Sequence, residues 1–205
     1  MKVIEDLILK YEKCQKIKKI KIKKGEIISN FIANRTQFGV IIDGCADLIR
    51  YDIDGNRTIV ERLYKGDMFG EIFHLSHNVN ELFVEAKTNV TILQLDYSNI
   101  INKCNKACSF HEELKEIVFY AFTSKIVNQN TRVEILTQRT MRDKILAYFD
   151  VISLGGIKKK FTLPFSYTDL ADYLNVDRSA MTREIANLIE DGFIFKDNKT
   201  ITLLY

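Results

Sequence analysis

The sequence is poor in residues that break or cross-link a chain. One proline and nine glycines among 205 residues exclude a collagen repeat, a proline-rich linker and a low-complexity tail. The four cysteines, Cys14, Cys45, Cys104 and Cys108, follow no disulfide framework, so reduced thiols in a cytoplasmic protein are expected. No run of 18 apolar residues occurs, and no segment is expected to span a membrane. The N-terminal stretch Met1–Lys13 has acids inside its apolar residues and no small-residue cleavage site, so it does not read as a secretion signal. A Walker loop, a paired-carboxylate site and a nucleophile–base pattern are all missing, and an enzyme is not expected.

A large charge of one sign is lacking too, since the net charge is +3. Its distribution is uneven. Residues 1–30 hold nine lysines against four acids, and the other 175 residues sum to −2. Lysines alternating along a surface strand read as a solvated edge that resists pairing with another strand.

The hydrophobic pattern divides the chain. Val3–Lys13 reads as a short helix. From Lys16 to Asp96 the period is two, beginning with Lys-Ile-Lys-Ile at 19–22. Gly25, Gly44, Gly55 and Gly66 punctuate this stretch, and Asp54-Gly55-Asn56 and Lys65-Gly66-Asp67 are turn signals. Short strands are expected around Val40–Ile42, Ala46–Tyr51, Thr58–Leu63, Phe83–Ala86 and Val90–Leu95, as in an all-β sandwich or roll. Beyond Asp96 the period moves toward 3.6. Tyr97–Lys103 reads as a short helix. Phe110–Leu136 has neither glycine nor proline and predicts one helix about 40 Å long. Its apolar positions Leu114, Val118, Phe122 and Ile126 predict a face for self-association. The middle of that helix turns polar at Thr123, Ser124, Asn128 and Asn130.

The most informative stretch is Ser166–Leu204. Ser166-Tyr-Thr-Asp169 is a capping box that opens a short helix, Tyr167–Leu174. Asp177 is an N-cap for a second helix, Arg178–Glu190, which Gly192 stops. Phe193–Lys196 and Thr200–Leu204 flank Asp197-Asn198-Lys199 as a hairpin. Helix, tight turn, helix and hairpin make a winged helix-turn-helix. Met181, Ile185, Leu188 and Ile189 are expected to face inward. Arg178, Ser179, Thr182 and Arg183 cluster at the N-terminal end of the other face. Arginine there can donate two hydrogen bonds to a guanine edge, and serine or threonine can bond bases or phosphates.

These motifs, with Gly66-Asp67-Met-Phe69-Gly70-Glu71 and Leu170-Ala-Asp-Tyr-Leu-Asn-Val-Asp-Arg-Ser-Ala-Met-Thr-Arg-Glu184, resemble the CRP/FNR bacterial transcription regulators over most of the chain. The resemblance implies an α+β protein. Residues 1–108 would form a β-roll, a cyclic-nucleotide-binding-like jelly roll. Residues 109–137 would form a dimerisation helix, and residues 138–205 a winged helix-turn-helix DNA-binding domain. It implies a homodimer on a palindromic double-stranded DNA site, with RNA polymerase as a further partner. Arg183 falls at the family's base-contacting arginine, and Arg178, Ser179 and Thr182 at its specificity positions.

The signal is not implied so directly. Cyclic-nucleotide-binding members follow a Gly-Glu pair with an Arg-Ser pair that holds the phosphate. This chain keeps Gly70 and Glu71 but has Asn80 and Glu81 at the Arg-Ser positions, in a segment one residue shorter. A carboxylate facing a phosphodiester repels it, and no fixed cation replaces the arginine. Cyclic AMP is therefore not the expected effector. Gly70, Glu71, Asn80, Glu81, Ser124 and Asn128 remain candidates for lining an effector pocket. A lone Cys14 ahead of Cys45 does not make the cysteine cluster of iron–sulfur relatives. Cys104, Cys108 and His111 could offer soft ligands, and His74 and His77 sit where haem-sensing relatives place theirs, but packed or solvated side chains are the plainer reading. No cofactor or metal is expected. The rival reading is a non-DNA-binding sensor or interaction module built on the same roll. Such a module would need exposed apolar anchors on the outward face of Arg178–Arg183, and that face is polar.

Overall fold

The computed structural model describes residues 17–30, 37–70, 82–96, 98 and 110–205. The helices expected at Val3–Lys13 and Tyr97–Lys103 lie outside the described residues, apart from Ser98. The chain divides into two compact units, Met1–Ser124 and Lys125–Tyr205, each built separately below.

Among the described residues the first unit has eight strands: β1 (Lys18–Ile22), β2 (Ile27–Asn30), β3 (Gln37–Asp43), β4 (Ala46–Tyr51), β5 (Arg57–Leu63), β6 (Met68–Phe69), β7 (Leu82–Ala86) and β8 (Val90–Asp96). They make two antiparallel sheets, ordered β1-β8-β3-β6 and β2-β7-β4-β5. Ile41, Leu48, Leu63, Phe69, Val84 and Ile92 fill the core of this unit. Alternation along β3 and β8 sends Phe38, Val40, Ile42, Leu93 and Leu95 to the opposite face of the first sheet. That face is buried as well, beneath Val118, Ala121 and Phe122 of the helix α1 (Phe110–Leu136).

Two glycines are demanded by geometry. Gly44 has φ +83°, and a Cβ there would lie 2.3 Å from the Asn89 carbonyl oxygen. Gly39 lies under the Phe69 ring, where a Cβ would sit 2.0 Å from a ring carbon.

The second sheet carries a buried charge. Asp47 is wholly buried and accepts two bonds from Arg62, Nε to Oδ1 at 2.7 Å and Nη2 to Oδ2 at 2.9 Å. Arg57 lies 3.3 Å from Oδ2 and also 3.6 Å from Glu85, while Lys87 approaches Oδ2 at 3.9 Å. The forked Arg62 pairing joins neighbouring strands β4 and β5 in the register that places Asp47 opposite Arg62. A buried carboxylate needs this many donors because desolvation without pairing costs several kcal/mol.

The second unit holds the C-terminal part of α1, then α2 (Met141–Ile152), β9 (Lys160–Thr162), α3 (Tyr167–Leu174), α4 (Arg178–Glu190), β10 (Ile194–Asp197) and β11 (Thr200–Leu203). Strands β10, β11 and β9 form one sheet in that order. The short strand β9 was not expected from sequence. Ile145, Phe149, Leu170, Leu174, Met181, Ile185 and Leu188 are buried in this unit. Ile189 is 40% exposed, correcting its inward assignment. On a helix it follows Leu188 by about 100° and so falls at the edge of the buried stripe.

Along α1 the expected self-association face also divides. Val118 and Phe122 are half-buried against the roll, whereas Ile126 is 59% exposed; the Leu114 side chain lies outside the described residues. Steps of four residues advance about 40° beyond a full turn, so the ladder winds from one face of the helix to another. The large exposed apolar residues are Phe119, Tyr120, Ile126, Val127 and Val133. Phe119, Ile126 and Val133 are spaced by seven, as along one coiled-coil seam. Thr123 and Thr137 lie between and beyond them, and each donates its hydroxyl to the carbonyl four residues earlier, at 3.0 and 2.8 Å.

Replacing Asp47 with alanine leaves the Arg62 guanidinium buried without its carboxylate. The expected loss is about 3–5 kcal/mol of roll stability, read from urea unfolding; a loss below about 1 kcal/mol would show that the pair is not a principal restraint.

Candidate nucleic-acid interface

The turn between α3 and α4 sets the geometry. Ser166 Oγ accepts the Asp169 backbone N–H at 3.1 Å and so caps α3. Asn175 ends α3 in the left-handed conformation, φ 52°, which asparagine tolerates better than most residues. Two residues later Asp177 Oδ1 accepts the Ala180 N–H at 2.7 Å and starts α4. The other end of α4 closes through Gly192, φ +75°, with Phe193 N–H donating to the Leu188 carbonyl at 3.0 Å. Buried Met181, Ile185 and Leu188 hold the inward face.

The four residues singled out in sequence come together. Arg178, Ser179, Thr182 and Arg183 are all exposed on the first turns of α4. Among the described residues neither arginine has an ion-pair partner and the Ser179 hydroxyl has no hydrogen bond. Their donors are free for an incoming ligand. Thr182 differs, because its hydroxyl already donates to the Arg178 carbonyl at 2.9 Å. In that arrangement the hydroxyl proton is already committed, and the oxygen can still accept.

The carboxylate next in sequence to Arg183 is occupied elsewhere. Glu184 accepts from Arg142 Nε at 2.6 Å and from Asn187 Nδ2 at 3.2 Å. Arg142 also donates to Asp191 at 2.6 Å and lies 5.8 Å from the centre of the Phe193 ring. Hydrogen bonds to Glu184 and Asp191 raise the Arg142 pKa above its ordinary value. Arg142 thus ties the start of α2 to the middle and end of α4 and neutralises acids on the candidate recognition helix.

The β10–β11 hairpin turns at Asn198, φ 52°. Lys199 is exposed beside it, and Lys196 Nζ stands 5.4 Å from the centre of the Tyr167 ring. Sequence reading did not single out Lys196, Lys199 or Arg142. The lysine next to a turn asparagine was a legible signal, whereas the Arg142 partners lie more than forty positions away.

The other candidates are less complete. Gly70 is buried with φ +102° at the end of β6. Glu71, Asn80 and Glu81 lie outside the described residues, as do His74, His77, Cys104, Cys108 and the side chain of His111. Ser124 is half-buried and Asn128 exposed on α1. Among the described residues no group of three His, Cys, Asp or Glu side chains could hold a metal ion, and no helix is long and apolar enough to cross a membrane.

A β-roll followed by a capped helix-turn-helix and a wing defines a transcription regulator. Residues 19–107 match the cyclic nucleotide-binding domain and residues 135–205 the Crp-like helix-turn-helix domain. The chain is 25% identical over 163 residues to the nitrogen fixation regulation protein FixK of Rhizobium meliloti, covering 78% of this chain and 71% of that one. It is 25% identical over 171 residues to the global nitrogen regulator of Synechococcus elongatus, covering 80% and 75%. The structure of FixK2 from Bradyrhizobium japonicum superposes with a TM-score of 0.67 at 18% identity, covering 92% and 93%. The chain belongs to the CRP/FNR family and is a transcription regulator of that type, with a helix-turn-helix DNA-binding domain.

The Asp177 cap is open to test. Asp177→Ala should cost about 1 kcal/mol of stability and weaken DNA binding, because the first turn of α4 carries Arg178 and Ser179. Asp177→Asn should retain both properties, as read by thermal melts and binding isotherms.

Proposed function

We propose that this regulator binds a palindromic DNA site as a homodimer, reading bases with Arg183 and Arg178 and tuning specificity through Ser179 and Thr182. The observation that carries the reading is the outward face of α4: two arginines without ion-pair partners among the described residues, on a helix capped at its start and buried behind. The retained functional division is 1–108 for the roll, 109–137 for the dimerisation helix and 138–205 for DNA binding. Pairing runs through the exposed seam Phe119, Ile126 and Val133, whose seven-residue spacing suits two helices side by side. Of the four positions expected from sequence, Ile126 belongs to this seam.

The protein acts in the cytoplasm without enzymatic activity, with RNA polymerase as its downstream partner. A small-molecule effector other than a cyclic nucleotide fits the loss of the phosphate-binding pair at Asn80 and Glu81. Gly70, Glu71, Ser124 and Asn128 remain its candidate contacts. Regulation then acts on the disposition of the two DNA-binding heads.

On a duplex selected from a random-sequence pool, Arg183→Ala should lose about 1–3 kcal/mol of affinity and relax preference at one base position. Unchanged affinity and preference would remove Arg183 from the readout. For assembly, Ile126→Glu places two carboxylates at a symmetric contact. Sedimentation should show a dimer for the natural chain and a monomer for the variant.

A further inference from the structure

Asn130 is a polar residue to which the reading above gives no role. Within the unit Lys125–Tyr205, the last turns of α1 are held on one side by Ile135, 2% exposed, and by Arg132, whose Nη2 donates to the Tyr173 carbonyl at 3.3 Å. The opposite side, about 180° around the helix from Ile135, carries Ile126 and Val133, 59% and 57% exposed. Asn130 and Thr137 are exposed on that side too. The four residues follow one another at intervals of four, three and four, and they fall within about 60° of arc. That alternation is the a/d pattern of a coiled coil, with Ile126 and Val133 at d and Asn130 and Thr137 at a. Among the described residues the Asn130 amide has no hydrogen-bond partner.

An asparagine that faces only water has little reason to stand here. It is a poorer helix former than glutamate, glutamine or lysine. Its neighbours along the arc are apolar or, at Thr137, have the hydroxyl bonded to the Val133 carbonyl at 2.8 Å. Pairing with a second helix gives it a partner. Where two copies run parallel and in register, Asn130 faces its twin, and one side-chain N–H donates to the other side-chain carbonyl. Where they run antiparallel, or slip by three or four residues, the amide is buried against Ile126 or Val133 of the second copy with no partner, which is costly. The β-branched residues at d do not by themselves favour two strands over three or four.

We infer that Asn130 specifies the assembly: it pairs with Asn130 of a second copy, and that pair fixes two strands, parallel and in register. The inference rests on the homodimer reading above and adds the residue that sets its geometry. The occupant is a second copy because the arc is continuous with the proposed pairing seam and because an amide, donor and acceptor at once, complements itself. Each DNA-binding domain follows the C-terminal end of its own helix, so parallel pairing brings both recognition helices to one end of the pair. Register makes the two equivalent, as a palindrome needs. The amide lowers affinity relative to an apolar residue at the same position.

The test uses the full chain. Sedimentation equilibrium reads the stoichiometry. A Thr137→Cys variant reads orientation, because a parallel, in-register pair sets position 137 beside its twin, within disulfide reach. The natural chain, with four cysteines of its own, sets the background. Thr137→Cys should give a linked dimer under mild oxidation, well above that background. Adding Asn130→Ile should tighten association by about tenfold, populate trimers or larger species, and roughly halve the linked yield. An Asn130→Ile chain that stays strictly dimeric and links as before would overturn the inference, as would one that dimerises more weakly. A natural chain that sediments as a dimer while Thr137→Cys does not link would overturn it with no change at Asn130, and would leave the homodimer reading standing. A natural chain that sediments as a monomer would overturn both.

Discussion

A helix can offer side chains to a partner only if its other face is held. In α4 the holding is done by Met181, Ile185 and Leu188 together with the caps at Asp177 and Gly192. In the first part of α1 it is done by Val118, Ala121 and Phe122 on the outer face of a sheet whose inner face is already buried. That sheet has no solvated face over its central strands, so the helix that covers it is part of the roll's own packing. The outward positions Arg178, Ser179 and Arg183 on one helix, and Phe119 and Ile126 on the other, follow from these inward attachments.

The roll solves a different problem. Its second sheet carries a carboxylate with no access to solvent, and the arginine fork that satisfies it comes from the neighbouring strand. Such a pair contributes less to net stability than an apolar pair of the same shape would. It does penalise alternatives, since sliding β4 by one residue against β5 would turn Asp47 to the opposite face of the sheet and break the fork. The Gly39–Phe69 contact restricts the other sheet in a steric manner, because the ring occupies the space any side chain at position 39 would need.

Local chemistry was legible in the sequence and long-range partners were not. Ser166, Asp177 and Gly192 act within four residues of their own positions, and each has the capping role expected of it. The strands around Ala46–Tyr51 and Val90–Leu95 follow from alternation. Strands β2, β6 and β9 are four, two and three residues long, too short to establish a period. Asp47 lies within an expected strand, but nothing local shows that Arg57, Arg62 and Lys87 converge on it. The apolar ladder Leu114, Val118, Phe122 and Ile126 looked like one face because its spacing is constant. The structure shows Val118 and Phe122 serving the roll and Ile126 facing outward. Of the residues proposed to read DNA, sequence supplied the positions but not the hydroxyl geometry of Thr182.

Thr123 of α1 and Thr137 just beyond its end have a consequence for how such a surface is perceived. A hydropathy scale scores Thr123 and Thr137 as polar wherever they occur. Here their protons are returned to backbone carbonyls of the same helix. A neighbour covering these positions displaces little tightly held water and leaves no donor stranded, so the seam is greasier than its letters suggest. Its stickiness is written in rotamers rather than in composition.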